Sequence, residues 1–172
     1  LCSLGASSRV PGGTHPVSPK SHPLPHQACY LYQHTVTQTR GTPTPCTSPG
    51  IKVDPTAPAA PSLTFSTFTN TYWSGAGSTV YYRSAAATGS FRTTATATDT
   101  ASGIASYTFP SAVSLGANWT STPVSTGVNT YSWAGAPAAP GLKSVTATNN
   151  STGTSSGAPF PPPADNAAPP AG

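Results

Sequence analysis

Apolar positions between residues 62 and 160 recur with a period of two, and no stretch there follows the 3.6-residue period of a helix. The segment 91–99 is the clearest case, since Arg and Thr occupy one set of alternate positions. The other set holds Phe91, Thr93, Ala95 and Ala97. Alternation of small and aromatic residues with polar ones is typical of a half-buried strand.

Similar patterns follow one another at short intervals, separated by turn signals such as Gly75-Ala-Gly77 and Ser102-Gly103. They predict strands over residues 62–69, 79–83, 91–99, 104–109, 118–121, 129–134, 142–149 and about 154–160. So many short strands in about 100 residues predict an all-β fold, an antiparallel β-sandwich of about seven strands. The expected core is Phe65, Phe91, Ile104, Phe109, Leu115, Trp119, Trp133, Leu142 and Val145.

Residues 1–50 have a different composition, with eight Pro, all four His, all three Cys and no acidic residue. Such a segment cannot bury enough apolar surface to offset the entropy cost of ordering it. We therefore expect it to be disordered, or not a genuine protein sequence. Four of its residues have part of the spacing of a zinc site, but the second ligand pair is missing. These residues are His26, Cys29, His34 and Cys46.

Pro-rich segments border the strand-rich block on both sides, at residues 51–61 and 161–172. Asp54-Pro-Thr-Ala-Pro58 and Asp165-Asn-Ala-Ala-Pro169 share one pattern, and they begin 111 residues apart. Pro-rich linkers are semi-extended spacers. A linker at both borders of a domain-sized block is expected for one unit of a tandem array. The predicted organisation is thus a 1–50 segment, a 51–61 linker, a 62–160 β-sandwich and a 161–172 linker.

The inventory of side chains argues against catalysis. The chain has no Glu, and between residues 59 and 160 its ionisable groups are Asp99, Arg83, Arg92, Lys143 and tyrosines. Acid–base catalysis needs a group that titrates near neutral pH, and a nucleophilic Ser needs an adjacent base. We therefore predict that the protein is not an enzyme and needs no cofactor.

Charge and hydropathy argue against binding to nucleic acid and against a membrane-spanning segment. The net charge of +4 comes from scattered basic residues that form no cluster suited to nucleic acid. No apolar run reaches the roughly 18 residues of a membrane span. Leu, Ile, Val and Phe are so scarce that a disordered Thr/Ser/Pro-rich stalk is a further interpretation, and it predicts no cooperative melt.

Four motifs of the chain resemble those of a bacterial Ig-like repeat. They are Val53-Asp-Pro-Thr-Ala-Pro58, Ser78-Thr-Val-Tyr-Tyr-Arg83, the segment 98–110 with Asp99-Thr-Ala-Ser-Gly-Ile104, and Val145-Thr-Ala-Thr-Asn149. The resemblance covers about residues 52–170, and Pro55 and Ala168 vary its usual linker. It implies an Ig-like fold in an extracellular protein, secreted or attached to a bacterial cell surface. It also implies a non-catalytic spacer or adhesive module, whose partners are neighbouring Ig-like repeats in the same chain.

Asp99, at a predicted strand end, is a candidate calcium ligand, with Asp54, Asn149 or Asn150 as helpers. Calcium binds six to eight oxygens, usually from several carboxylates, and few are available here. The alternative is a turn Asp that accepts hydrogen bonds from its own downstream backbone.

Tyr72, Trp73 and Tyr82 are candidates for stacking on sugar rings. Stacking would make the domain a carbohydrate-binding accessory module of a secreted enzyme, with cell-surface glycan as its partner. The alternative is that Trp119 and Trp133 fill the core while tyrosines cover it. Acidic groups that would bond sugar hydroxyls are nearly absent.

Overall fold

A computed structural model describes residues 29–30, 33–36, 44–47 and 51–167. The chain forms two compact units, Leu1–Thr56 and Ala57–Gly172. In the first unit, β1 (Cys29–Tyr30) pairs with β4 (Ile51–Lys52), and β2 (Gln33–Val36) pairs with β3 (Thr44–Thr47), both antiparallel. The prediction of a disordered or spurious 1–50 segment otherwise falls on residues outside the described ones.

The second unit contains nine strands and one short helix within residues 57–167. They are β5 (Ser62–Thr69), β6 (Thr71–Tyr72), β7 (Tyr81–Tyr82), β8 (Thr88–Thr96), β9 (Ile104–Thr108), α1 (Ala112–Leu115), β10 (Trp119–Ser125), β11 (Val128–Ala134), β12 (Lys143–Asn149) and β13 (Ala158–Phe160). A four-stranded sheet has the order β10-β11-β8-β5, and a three-stranded sheet has the order β13-β12-β9. Strands β6 and β7 pair with each other, and every pairing between these strands is antiparallel.

Strand β8 shows why the alternating pattern folds as it does. It lies between β5 and β11, and its side chains Phe91, Thr93 and Ala95 are buried while the alternate positions are more exposed. Gly89 begins this inner face opposite Trp133, and a Cβ at that position would overlap the indole ring. The predicted face of β8 is confirmed.

The two larger sheets contribute side chains to one hydrophobic core. Phe160 of the three-stranded sheet lies 6.0 Å, between ring centroids, from Phe65 and from Tyr131 of the four-stranded sheet. Further buried side chains come from both sheets, from the β6–β7 hairpin and from α1: Phe91, Trp119, Trp133, Val145, Val80, Tyr82 and Leu115. The predicted all-β fold with antiparallel sheets is confirmed, and the shared core is compatible with a sandwich.

Most expected core residues are buried, but Leu142 is not. Its side chain is 69% exposed, because it precedes β12 and follows Gly141 in a loop with positive φ. Ile104, the first residue of β9, is only half-buried, and Phe109 packs on the core from its edge. The sequence prediction missed four large core side chains, which are Val80, Tyr82, Tyr131 and Phe160.

Helix α1 is a single turn that contributes Leu115 to the core. Ser111 caps it, since its Oγ accepts a hydrogen bond from the Ser114 N–H at 3.3 Å, and Leu115 is buried. Among the residues that the structure describes, no helix has the length and apolar character needed to cross a membrane.

Candidate functional sites

The Asp99 carboxylate holds together the loop that follows β8. Its Oδ1 accepts hydrogen bonds from the backbone N–H groups of Ala101, Ser102 and Gly103, at 3.0, 2.8 and 3.2 Å. Gly103, the last of these donors, has φ 76°, a left-handed conformation that glycine adopts readily. An Asp that bonds its own downstream backbone is a common loop-forming element.

The second oxygen of Asp99 reaches a different part of the chain. Its Oδ2 accepts a hydrogen bond from the side-chain amide of Asn149, at 2.9 Å. Asn149 is buried, and its Oδ1 accepts from the Gly153 N–H at 2.7 Å. The bond from Asn149 and then that from the Ser102 N–H are the main reasons why the pKa of Asp99 is lowered from its usual value.

The structure thus brings Asp99, Asn149 and Asn150 together, as the calcium hypothesis requires. The Asn150 side chain donates to the Ser102 carbonyl at 2.8 Å, so it also ties the two loops. Asp54 belongs to the other compact unit, where its Oδ1 accepts from the N–H and hydroxyl of Thr56. No three His, Cys, Asp or Glu side chains cluster within the described parts of the chain. With four N–H groups directed at Asp99, the geometry favours the turn-forming alternative.

Tyr82 is a core residue. Its side chain is 1% exposed, and its ring meets Trp119 and Trp133 edge-on at centroid distances of 5.2 and 5.4 Å. Burial raises the pKa of its phenol. The Tyr82 ring is therefore not available for stacking on a ligand. Trp119 and Trp133 fill the core, as the alternative expects, but Tyr82 and Tyr131 belong to that core and do not cover it.

Tyr72 and Trp73 differ in exposure. Tyr72 is 63% exposed, whereas Trp73 is half-buried against Phe65, with ring centroids 5.5 Å apart. The Trp73 indole N–H donates to the Gly77 carbonyl at 3.1 Å, which fixes the β6–β7 loop. Trp73 therefore supports the hairpin, and Tyr72 is the available ring.

Tyr81 is the partner of Tyr72 that the sequence analysis did not include. The two residues are directly opposite in the β6–β7 pair, and Tyr81 is 41% exposed. Opposite residues of an antiparallel pair place their side chains on the same face, with Cβ atoms roughly 5 Å apart. The register of the β6–β7 pair is what shows that Tyr81 adjoins Tyr72.

A cleft of about 540 Å³ lies between β9 and the β10–β11 hairpin. Tyr107 is the single ionisable side chain among the residues that line it, and the remaining polar ones are Ser, Thr and Asn. This lining contains no base beside a hydroxyl nucleophile and no pair of carboxylates. Its geometry offers polar contacts but no catalytic arrangement.

The two copies of the Asp-x-[Thr/Ala]-Ala-Pro pattern make the same turn. Asp54 Oδ1 accepts from the Thr56 N–H at 3.1 Å, and Asp165 Oδ1 accepts from the Ala167 N–H at 3.1 Å. In both copies the carboxylate binds the backbone two residues ahead. The likeness that the sequence showed between the two borders therefore extends to their local structure.

Comparison with known proteins adds no relative. No family model matches the sequence, and no curated protein or solved structure is significantly similar to it.

Proposed function

We propose that residues 57–167 form a non-catalytic spacer module, one of several Ig-like copies in a secreted or surface-attached bacterial protein. In this role the domain separates other parts of the protein from the cell surface, or forms one unit of an adhesive array. The resemblance to bacterial Ig-like repeats supplies the extracellular setting and the tandem partners.

The observation that carries the proposal is the position of the two chain ends. The chain enters beside the C-terminal end of β8, where the Ala59 N–H donates to the Thr98 carbonyl and Ser62 pairs with Thr96. It leaves beside Tyr82, whose strand partner Thr71 bonds the Ser90 carbonyl near the other end of β8. Along β8, Ser90 and Thr96 are six residue steps apart, which is roughly 20 Å at the rise of a β-strand. Ends at opposite poles suit units joined in a line.

The described side chains also support the non-catalytic part of the proposal. Asp99 is occupied by loop hydrogen bonds, and the cleft beside β9 carries no acid–base pair. Between residues 59 and 160 the sequence offers no other carboxylate and no His or Cys.

The test is to read the coding DNA on both sides of this chain in all frames. We expect further copies with a period of about 111 residues, each opening with an Asp-x-[Thr/Ala]-Ala-Pro pattern. A lone copy that adjoins a catalytic domain would overturn the spacer proposal in favour of an accessory module.

The exposed Tyr72–Tyr81 pair favours a second candidate, carbohydrate binding. Two adjacent rings on one face can stack on neutral sugars, and the candidates from sequence supply only one of the two. In this role the stacking surface consists of Tyr72 and Tyr81, whereas the sequence hypothesis had Tyr72 with Trp73 and Tyr82.

A further inference from the structure

The Pro-rich segment after β13 is bound to the domain. The carbonyls of Pro161 and Pro163 accept hydrogen bonds from the backbone N–H groups of Val80 and Tyr82, at 3.4 and 3.1 Å. The Asp165 N–H then donates to the Tyr82 carbonyl at 2.8 Å, so the segment runs parallel to β7. Proline can sit in such a position because the backbone donors come from the neighbouring strand.

Asn166 extends this attachment by its side chain. Its Oδ1 accepts from the Ala85 N–H at 3.1 Å, and its Nδ2 donates to the Ser84 hydroxyl at 2.8 Å. Both contacts span more than eighty positions of the sequence. The domain therefore holds its outgoing chain as far as Asn166.

The segment that precedes β5 is also bound to the domain. Pro58 and Pro61 are buried, and between them the Ala59 N–H donates to the Thr98 carbonyl at 3.2 Å. Attachment at this border therefore begins at Pro58, four residues after Asp54.

Alignment of the two motif copies shows how far apart these two attachments would lie in a linker shared by two copies. Asp54 corresponds to Asp165, and Pro58 corresponds to Pro169. A shared linker would be bound to the preceding copy as far as position 166, and to the following copy from position 169. Two positions, 167 and 168, are left between the attachments, and the first of them is held in the Asp165 turn.

We propose that each copy binds the linker of its neighbour, so that successive copies are joined by a two-residue connection and the array is a stiff rod. This inference rests on the proposed tandem array and deepens it. Positions 166 and 169 are three residue steps apart and so at most about 11 Å from each other, which brings adjacent copies into contact or close to it. A free linker of the full Pro-rich length would instead allow a wide range of domain orientations.

The attachment is tested first in the full chain by amide hydrogen exchange, followed by NMR. We expect the Asp165 amide to exchange as slowly as the ladder amides of β8. Asn166→Ala should speed its exchange by roughly tenfold, which corresponds to the loss of one or two hydrogen bonds. Asn150→Ala is the matched control, because it removes an Asn side-chain hydrogen bond elsewhere on the surface and should leave Asp165 unchanged. Rapid exchange at Asp165 in the unaltered chain overturns the proposal.

The two-residue connection is tested in a longer protein, which consists of the full chain through Ala167 followed directly by a second copy of residues 57–172. This junction keeps Asn166 and reproduces the Ala-Pro pair of positions 168 and 169. Small-angle X-ray scattering should give one defined separation between the copies. Insertion of six Gly and Ser residues at the junction should broaden that distance distribution, and equal breadth with and without the insertion contradicts a stiff joint.

The two proposals fail separately. If the coding DNA contains no further copies, the tandem array is excluded, but slow exchange of the Asp165 amide would still show that the domain binds its own C-terminal segment. If the DNA contains further copies but the Asp165 amide exchanges freely, the array stands and the two-residue connection is overturned.

Discussion

The side-chain amide of Asn149 donates a hydrogen bond to Asp99 over 2.9 Å and so links two loops that lie 50 residues apart in sequence. One loop follows β8 in the four-stranded sheet, and the other follows β12 in the three-stranded sheet. Because each residue also binds the backbone of its own loop, the pair connects the two sheets at one end of the core.

Asp99 should make the domain sensitive to acid. A carboxyl whose folded-state pKa is lowered stabilises the fold above its unfolded pKa, and that contribution is lost as the pH falls through the folded value. We expect the melting temperature to decrease below about pH 4, the usual pKa of Asp. In Asp99→Ala the melting temperature should be lower at pH 7 and should fall less on acidification.

Thermal melts followed by circular dichroism at pH 7 and pH 3 measure this difference. Asp165→Ala is a control, since it removes a carboxylate of the same type with a single described hydrogen bond, to Ala167. An acid response of Asp99→Ala as large as that of the unaltered chain would show that Asp99 contributes nothing to it.

Calcium should leave the stability of the domain unchanged. The N–H groups that surround Asp99 satisfy its carboxylate, and they would have to turn away before a cation could bind. A site present only in the folded state would add about 2.7 kcal/mol at one hundred times its Kd. Melts in excess calcium and in chelator distinguish the two cases, and a rise in melting temperature with calcium would restore Asp99 as a ligand.

The alkaline limit of stability should depend on Tyr82 and Tyr131. Burial raises the pKa of both phenols, and in Tyr131 this outweighs the opposite effect of hydrogen bonds with Asn129 and Ser121. A group with a raised folded-state pKa stabilises the fold below its unfolded pKa, about 10 for Tyr, and loses that contribution as the pH rises further. We therefore expect these two phenols to ionise only when the domain unfolds.

Ultraviolet titration of tyrosinate, compared with circular dichroism, follows this event. The two signals should change together for part of the tyrosine absorbance, and Tyr131→Phe should move the unfolding midpoint to higher pH. Complete tyrosine ionisation in a still-folded domain would contradict the burial of these phenols.

The sequence predicted the strands well because alternation is a local property. Every expected strand between residues 62 and 160 has a counterpart, and the inner face of β8 is as expected. The core was predicted less well, because large side chains in short elements show no period. Tyr82 and Phe160 lie in strands of two and three residues, and Leu142 lies just outside β12, where an apolar residue still resembles a strand residue.

The candidate sites required knowledge of pairing between distant segments. Asp99 as a turn residue follows from its local sequence, but the bond to Asn149 depends on the neighbouring sheet. The Tyr72–Tyr81 pair depends on the register of β6 and β7, which an eight-residue loop separates. The hydrogen bonds of Pro161, Pro163 and Asp165 with Val80 and Tyr82 have no signal in the Pro-rich sequence itself, because proline keeps its carbonyl acceptor and the donors come from a distant segment.

Replacement of Thr93 by Val should stabilise the domain. The Thr93 side chain is buried in the middle of β8, and its hydroxyl has no hydrogen-bond partner among the residues that the structure describes. Val has the same shape and the same preference for strands, so Thr93→Val should raise the free energy of unfolding by about 1 kcal/mol. Urea unfolding measures the change.

Thr94→Val is the matched control, because Thr94 is the next residue of β8 and points to the opposite, half-exposed face. A surface change of this kind should stay within about 0.5 kcal/mol of the unaltered chain. Destabilisation by Thr93→Val would indicate that the hydroxyl has a partner, such as a buried water.

The Tyr72–Tyr81 pair decides between the spacer and the carbohydrate-binding role. If the accessory role is correct, insoluble neutral polysaccharide should retain the full chain, and Tyr72→Ala or Tyr81→Ala should each weaken retention roughly tenfold or more, as expected when a stacked ring is lost. Tyr82→Phe should bind normally, since its ring is buried, and Val113→Ala removes an exposed apolar side chain elsewhere. Retention unaffected by either tyrosine change rules out this pair, and absence of retention by any polysaccharide leaves the spacer role as the better-supported one.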